Sequence, residues 1–242
     1  MESLKNQIAV VTGASSGIGR AIALSLALQG AELYLAARRK ELLEAVAKEA
    51  QALGARAHAC PVDLTKDEDI HVLGEKLQRE FGRLHILLLC GGAIAHGTHE
   101  KASLADLDLM YRSNVRGHYA LVQTMLPLLR KAPGQIVFIN SSAGLRSPVG
   151  AGQFSATQHA FRSIADSLRD EINADGIRVL CIYPGRTATP RMERLFDKEG
   201  RAYKPELLLQ PEDIAEMVTH SLRLPRTAEV TDISIRPMQK SY

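Results

Sequence analysis

Three glycines in the stretch Thr12-Gly13-Ala14-Ser15-Ser16-Gly17-Ile18-Gly19 are spaced to do chemistry on a phosphate. Glycine takes positive φ without penalty and has no Cβ to hold a ligand away. The backbone N–H groups of such a loop, and of the helix after it, can therefore face a negative charge. The flanks decide between a phosphate loop and a plain turn. An apolar run at 8–11 precedes the stretch and helical apolar spacing over 18–28 follows it. Strand, glycine loop and helix in that order, at the head of a βαβ unit, are the setting in which a dinucleotide pyrophosphate is held. Gly13, Ser15, Ser16, Gly17, Ile18 and Gly19 are the first candidate cofactor-binding residues.

The rest of the chain reads as the frame such a loop needs. Short apolar runs at 31–37, 55–62, 84–90, 135–140, 177–182 and 230–235 predict further strands, and helical spacing occupies 41–53, 67–81, 105–131 and 152–174. Residues 84–90 are nearly continuous in apolar side chains, as a central strand covered on both faces must be. Pro127 is expected to kink the end of its helix. Residues 186–210 are rich in charge and carry Pro190 and Pro205, which predicts a mobile, substrate-covering excursion before a helix opened by Pro211-Glu212-Asp213. Strands alternating with helices predict one α/β domain over 1–242. Its core is an open, doubly wound parallel sheet of about seven strands with helices on both faces, a Rossmann-type architecture. Ligands bind such sheets outside the carboxyl ends of the strands, so the loops after the strands should converge on one site.

Composition narrows the partners. The chain has 242 residues, 45% of them hydrophobic, and a formal net charge of +3 with acidic and basic residues interspersed. That balance suggests neither nucleic acid nor a membrane surface. Cys60, Cys90 and Cys181 each fall in or beside a predicted strand, where a buried thiol in a reducing compartment is the plainer reading than a disulfide. The first residues lack an apolar targeting core, and the densest apolar stretch, 84–95, is too short to span a bilayer. A cytoplasmic location is the expectation. His96 and His99 have no companion ligands, so no metal is expected.

The order of elements, with Thr12 to Gly19, Asp63-Leu64, Asn114, Asn140-Ser141-Ser142 and Pro184-Gly185, resembles the short-chain dehydrogenase/reductase family along almost the whole chain. The resemblance implies an oxidoreductase that moves a hydride between a nicotinamide cofactor and a small-molecule carbonyl or alcohol. It also implies a homodimer or homotetramer paired through the long helices that carry Asn114 and Gln158. NAD-binding folds usually place a carboxylate after the second strand to accept from the adenosine ribose. Here Ala37-Arg38-Arg39 stands instead, and two cations suit a 2′-phosphate, so NADP is favoured over an ordinary pair of exposed arginines. The family's pattern places Asp63 on the adenine amine and Leu64 against the ring; Asp63 alone also reads as a turn carboxylate. Pro184, Gly185, Thr187 and Thr189 match the segment that holds the nicotinamide carboxamide, while Thr189 before Pro190 also reads as a helix N-cap. The family's Asn-Asn-Ala-Gly after the fourth strand is replaced by Leu89-Cys90-Gly91-Gly92. Gly91 keeps the backbone freedom, but the two side-chain amides are gone.

The proton-transfer half departs further. In the family a Tyr hydroxyl exchanges the proton at the substrate oxygen, and a Lys four residues on lowers the Tyr pKa and binds the nicotinamide ribose. Those positions read Phe154 and Gln158 here. Asn114 and Ser142 match the remaining catalytic positions, with Ser141 as the alternative serine. Tyr183 and His96 are the replacement donors to inspect, against plainer readings as a packed aromatic and a surface imidazole. His159, one residue past Gln158, should face away. Three functions stay open from sequence. They are an NADP-dependent oxidoreductase with altered proton transfer, an inactive NADPH-binding scaffold or sensor, and a non-redox lyase or isomerase on the same fold.

Overall fold

The computed structural model of the chain describes residues 1–239. Strands β1 (Ile8–Thr12), β2 (Glu32–Ala37), β3 (Ala57–Pro61), β4 (Ile86–Leu89), β5 (Gln135–Ile139), β6 (Arg178–Pro184) and β7 (Asp232–Ile235) form one sheet in the order β3-β2-β1-β4-β5-β6-β7. Every neighbouring pair is parallel. The chain runs outward from β1 through β2 and β3, then returns to β1's other side at β4. The C-terminal ends of β1 and β4 thus flank the point where ligands bind such sheets.

Alternation along each strand feeds two cores. Ala9, Val11, Leu33, Leu35, Leu88 and Ile182 pack on the face covered by α1 (Gly17–Leu28), α2 (Lys40–Ala52) and α8 (Pro211–Leu222). Val10, Tyr34, Leu87, Leu89, Phe138 and Cys181 pack on the other face. There α3 (Asp67–Glu80), α5 (Gly117–Leu129) and α6 (Gly152–Ile172) cover them. The helices sit down by period: α2 buries Leu43, Val46, Ala47 and Ala50, one stripe at spacings of three and four. All three cysteines are free, Cys60 and Cys181 within the core. Among the described residues no helix is long and apolar enough to cross a membrane.

Two segments differ from the sequence expectation in ways that shape the site. The helix expected over 105–131 is α4 (Leu104–Tyr111) and α5 joined by a π-helical turn at Arg112–Arg116, with Asn114 in its middle. Such turns widen the backbone locally and let a carbonyl escape its usual partner. Pro127 lies inside α5 and does not end it. The excursion at 186–210 contains a helix, α7 (Pro190–Lys198), and a 3₁₀ turn at Pro205–Leu207. Thr189 and Pro190 explain α7: the Thr189 hydroxyl accepts from the Met192 N–H at 3.1 Å, and proline suits the first helical position.

Candidate active site

The glycine loop is locked into the sheet before it meets any ligand. Gly13 has φ +64°, and a Cβ there would lie 2.9 Å from the Cys90 carbonyl, so only glycine lets β1's exit pass the exit of β4. The Thr12 hydroxyl accepts from the N–H groups of Cys90 (2.8 Å) and Gly91 (3.2 Å) and donates to the Leu88 carbonyl (3.1 Å). This one buried hydroxyl ties β1 to the β4 loop, a task for which the missing side-chain amides at 89 and 90 would otherwise be candidates. At the head of α1 the N-cap Ser16 makes no side-chain cap bond and the first turn carries no acid. The first-turn amides are therefore open to an anion.

Beyond the loop opens a cleft of about 430 Å³ lined by Ser15, Ser16, Arg38, Arg39, Asp63, Leu64 and Gly91. Arg39 donates to the Ser15 and Ser16 hydroxyls at 3.3 and 3.1 Å, which draws its charge toward the phosphate loop. The Asp63 carboxylate accepts from the Thr65 N–H and hydroxyl, so the turn role predicted for it is present. Burial opposes its ionisation, but the Thr65 hydrogen bonds and the Arg38 charge outweigh that and hold the carboxyl below the usual range. It remains an acceptor on the cleft wall.

A second cavity of about 170 Å³ continues from the first past Gly13, Ser16 and Gly91. Its walls include Gly17, Ile18, Gly19, Asn114, His118, Ser141, Phe154, Gln158, Pro184, Gly185, Thr187 and Thr189. The serine on this wall is Ser141. Ser142 is exposed at the start of a 3₁₀ turn and lines neither cavity, because the loop between Asn140 and α6 places the earlier residue toward Phe154. Ser141 Oγ accepts from the Ala143 N–H at 3.1 Å, which leaves its hydrogen free to donate.

Phe154 and Gln158 stand four apart on α6 and share the cavity face; exposed His159 points away. Gln158 is buried, and its amide nitrogen has only a 3.4 Å contact with the Thr157 hydroxyl. Asn114 is committed to structure. Its Oδ1 accepts from the Ala93 N–H (2.7 Å) and its Nδ2 donates to the Ala93 carbonyl (2.9 Å) and the Thr157 hydroxyl (3.1 Å). It clamps the β4 loop to α6. Gly92, at φ +151°, is required beside it, since a Cβ would come within 2.5 Å of Asn114 Oδ1.

Of the two replacement donors, Tyr183 is buried in the core on the α6 side of the sheet and lines neither cavity. His96 is different. Its ring centroid is 6.2 Å from that of Phe154, and its Nδ1 is 2.9 Å from Glu199 Oε1, just past the end of α7. Arg201 donates to the same carboxylate at 3.3 Å and Arg186 stands 3.7 Å from it. Burial opposes ionisation of Glu199, but the His96 hydrogen bond and the Arg186 charge prevail and hold it below the usual range.

The sequence reading omitted Thr12 as a clamp, His118, Glu199 and the basic residues of α7. Glu199 has no local signal, since it meets His96 only through the fold. His118 had one: a histidine one turn after Asn114 on an apolar helix face. Its Nδ1 lies 3.1 Å from the Asn114 carbonyl, its ring packs 4.9 Å from that of Phe161, and its Nε2 is buried without a partner. Burial pushes its pKa down to about 4.

A sequence model of the short chain dehydrogenase family matches residues 7–200. The chain is 31% identical over 247 residues to an uncharacterized oxidoreductase of Listeria monocytogenes, covering 99% of this chain and 100% of that protein. It is 32% identical over 239 residues to the glycine betaine reductase of Emericella nidulans, covering 97% of this chain but only 19% of that much longer protein. Among solved structures, the alcohol dehydrogenase of the archaeon Thermococcus sibiricus, complexed with 5-hydroxy-NADP, superposes with TM-score 0.88. That match has 28% identity and covers 98% of this chain and 100% of the other. A metagenomic short-chain oxidoreductase in complex with NADP gives TM-score 0.85 at 27% identity, covering 99% and 100%.

Proposed function

The chain belongs to the short-chain dehydrogenase family, and from that premise we propose that it is an NADP(H)-dependent oxidoreductase acting on a carbonyl or alcohol. In this reading His96 and Glu199 handle the proton in place of residue 154. The residues fit the cofactor's charge: Arg38 and Arg39 line the cleft where an NAD enzyme usually carries an acid, and the α1 amides are open toward the pyrophosphate. NADP bound in solved relatives supports the same choice. Gln158 replaces a cation with an amide that both donates and accepts, which suits ribose hydroxyls.

NADPH, when bound, supplies the hydride for a carbonyl carbon. This chain's residues manage the oxygen. The observation that carries the reading is the carboxylate-backed imidazole beside Phe154. An ionised Glu199 only accepts, so His96 Nδ1 carries the hydrogen between them and Nε2 is the nitrogen that exchanges a proton with the substrate oxygen. In reduction the imidazolium gives its Nε2 proton to that oxygen and becomes neutral; in alcohol oxidation the neutral ring takes it. Ser141 donates its free hydroxyl hydrogen to orient the oxygen. Positioned acid–base help of this kind is worth about 10² to 10⁴ in rate.

A second reading keeps one observation of its own: Phe154 and Gln158 offer no ionisable group where the family's proton apparatus stands, which favours a catalytically inactive NADPH-binding scaffold or sensor. Measuring NADPH oxidation with a panel of ketones and aldehydes, beside a direct NADPH titration, separates the two. Turnover with any carbonyl supports the first, tight binding without turnover hands the site to the second, and no binding removes both.

A further inference from the structure

The wall that α7 contributes to the larger cleft is basic. Arg191, Arg194 and Lys198 follow one another at spacings of three and four, so they share a helix face, and all three line the cleft together with Arg38 and Arg39. Among the described residues none of these five cations belongs to an ion pair. The helix's own acids, Glu193 and Asp197, are exposed and lie off the cleft, where Asp63 is the one carboxylate. Desolvation, and then the like charges of Arg194, Arg38 and Arg39, push the Arg191 guanidinium below its usual range despite nearby Cys90. Cations brought this close destabilise one another unless an anion lies between them.

The charge count selects the anion. Five cations less Asp63 leave a surplus of four. A dinucleotide pyrophosphate carries two negative charges and a 2′-phosphate adds about 1.5 to 2 more at neutral pH, so NADP(H) matches the surplus and NAD(H) meets half of it. Position divides the work. Arg191 lines both cavities and its Nη2 donates to the Gly92 carbonyl at 2.8 Å, at the junction beside the glycine loop. Arg194 and Lys198 line only the larger cleft, with Arg38 and Arg39.

We propose that α7 is the second jaw of a phosphate clamp, in which Arg194 and Lys198 hold the cofactor's 2′-phosphate from the side opposite Arg38 and Arg39 while Arg191 serves the pyrophosphate. This rests on the NADP(H) reading above. The consequence reaches the chemistry, because α7 also carries Met192 on the smaller cavity and leads directly into Glu199 at His96. A 2′-phosphorylated cofactor would thus fasten the roof of the substrate cavity and the carboxylate behind His96 together.

The test uses the full chain with two fragments, adenosine 2′,5′-bisphosphate and adenosine 5′-monophosphate, read by amide hydrogen exchange over 190–199. The bisphosphate slows exchange there and the monophosphate does not. In Arg194→Ala/Lys198→Ala, both exposed positions whose truncation leaves the core intact, the slowing is lost. NADPH affinity falls about tenfold per cation removed, while NADH affinity changes less than about twofold. NADPH bound by wild type with an affinity the double variant retains, or a loss shared equally with NADH, overturns the clamp and leaves the cofactor reading standing. Wild type that binds no NADPH overturns both.

Discussion

His96 stands with its ring 6.2 Å from that of Phe154 and its Nδ1 2.9 Å from Glu199, so a carboxylate-oriented imidazole borders the aromatic ring on the cavity wall. If that imidazole exchanges the proton, His96→Phe lowers kcat/KM for carbonyl reduction by about 10² to 10⁴. Glu199→Gln lowers it less, since the ring remains but loses its orienting charge. NADPH affinity stays within about threefold in both, because neither residue lines the larger cleft. Steady-state kinetics beside a binding titration checks this, and unchanged turnover in His96→Phe sinks the assignment.

If Phe154 and Gln158 stand where the family carries Tyr and Lys, supplying those side chains is an independent test of the cavity these two residues line. Phe154→Tyr returns a phenol without the cation that stabilises its anion, and Gln158→Lys returns the cation without the phenol, so each alone recovers little. The pair together raises carbonyl reduction in a His96→Phe background well above either single change, and Ser141→Ala removes the gain. Ser142→Ala leaves the gain intact, because that side chain is exposed outside the cavity. A double variant that binds NADPH yet stays inert shows a cavity altered beyond these two positions.

Much of this was legible in the chain itself because the sheet is read by periodicity. Residues 8–11 and 84–90 are apolar on both alternating faces, and they became β1 and β4 at the switch point. The phosphate loop was legible because glycine there has a steric cause, seen in the 2.9 Å clearance at Gly13. What stayed hidden depends on distance in sequence or on one residue of register. Glu199 is 103 positions from His96. Ser141 and Ser142 differ only in which way a short 3₁₀ turn points them. The π turn at Asn114, and the side-chain bonds Asn114 makes to Ala93 and Thr157, are announced by no local pattern.

Cofactor choice follows from Arg38 and Arg39. Wild type binds NADPH more tightly than NADH, and Arg38→Asp reverses the order by removing a cation and supplying an acceptor for ribose hydroxyls. Fluorescence titration of both cofactors against both proteins measures it. Equal affinities in wild type are the adverse result.

Assembly is expected through the helices that carry Asn114 and Gln158. Large side chains stay exposed on α4 and α5, with Tyr111 at 54% and Tyr119 at 49% exposure. Light scattering at micromolar concentration should give a dimer or tetramer, and Tyr119→Lys should shift the mass downward by placing a charge in the paired face. A monomeric wild type rejects this.

His118 makes the last prediction, because its burial has a measurable sign. The Asn114 carbonyl can only accept, so Nδ1 carries the ring's hydrogen and Nε2 is a buried, unpartnered acceptor. Burial drops the pKa from the ordinary 6.5 to about 4, against a smaller raising effect of the Asn114 hydrogen bond. The folded chain therefore keeps this ring neutral where the unfolded chain protonates it. Between pH 6.5 and 4 the unfolded state binds more protons, so stability is full above 6.5 and falls as the pH drops through that window. A pKa gap of this size corresponds to about 3 kcal/mol, lost progressively on acidification. His118→Phe keeps a ring against Phe161, 4.9 Å away in the wild type, and removes the titration. Its stability at pH 7 falls by about 1 kcal/mol for the lost hydrogen bond. Its denaturation midpoint falls less between pH 7 and 5 than that of the wild type, and the loss that remains includes His85, whose pKa burial also lowers. Urea unfolding of both proteins across that range decides the matter, and parallel curves would show that His118 is not the group that titrates.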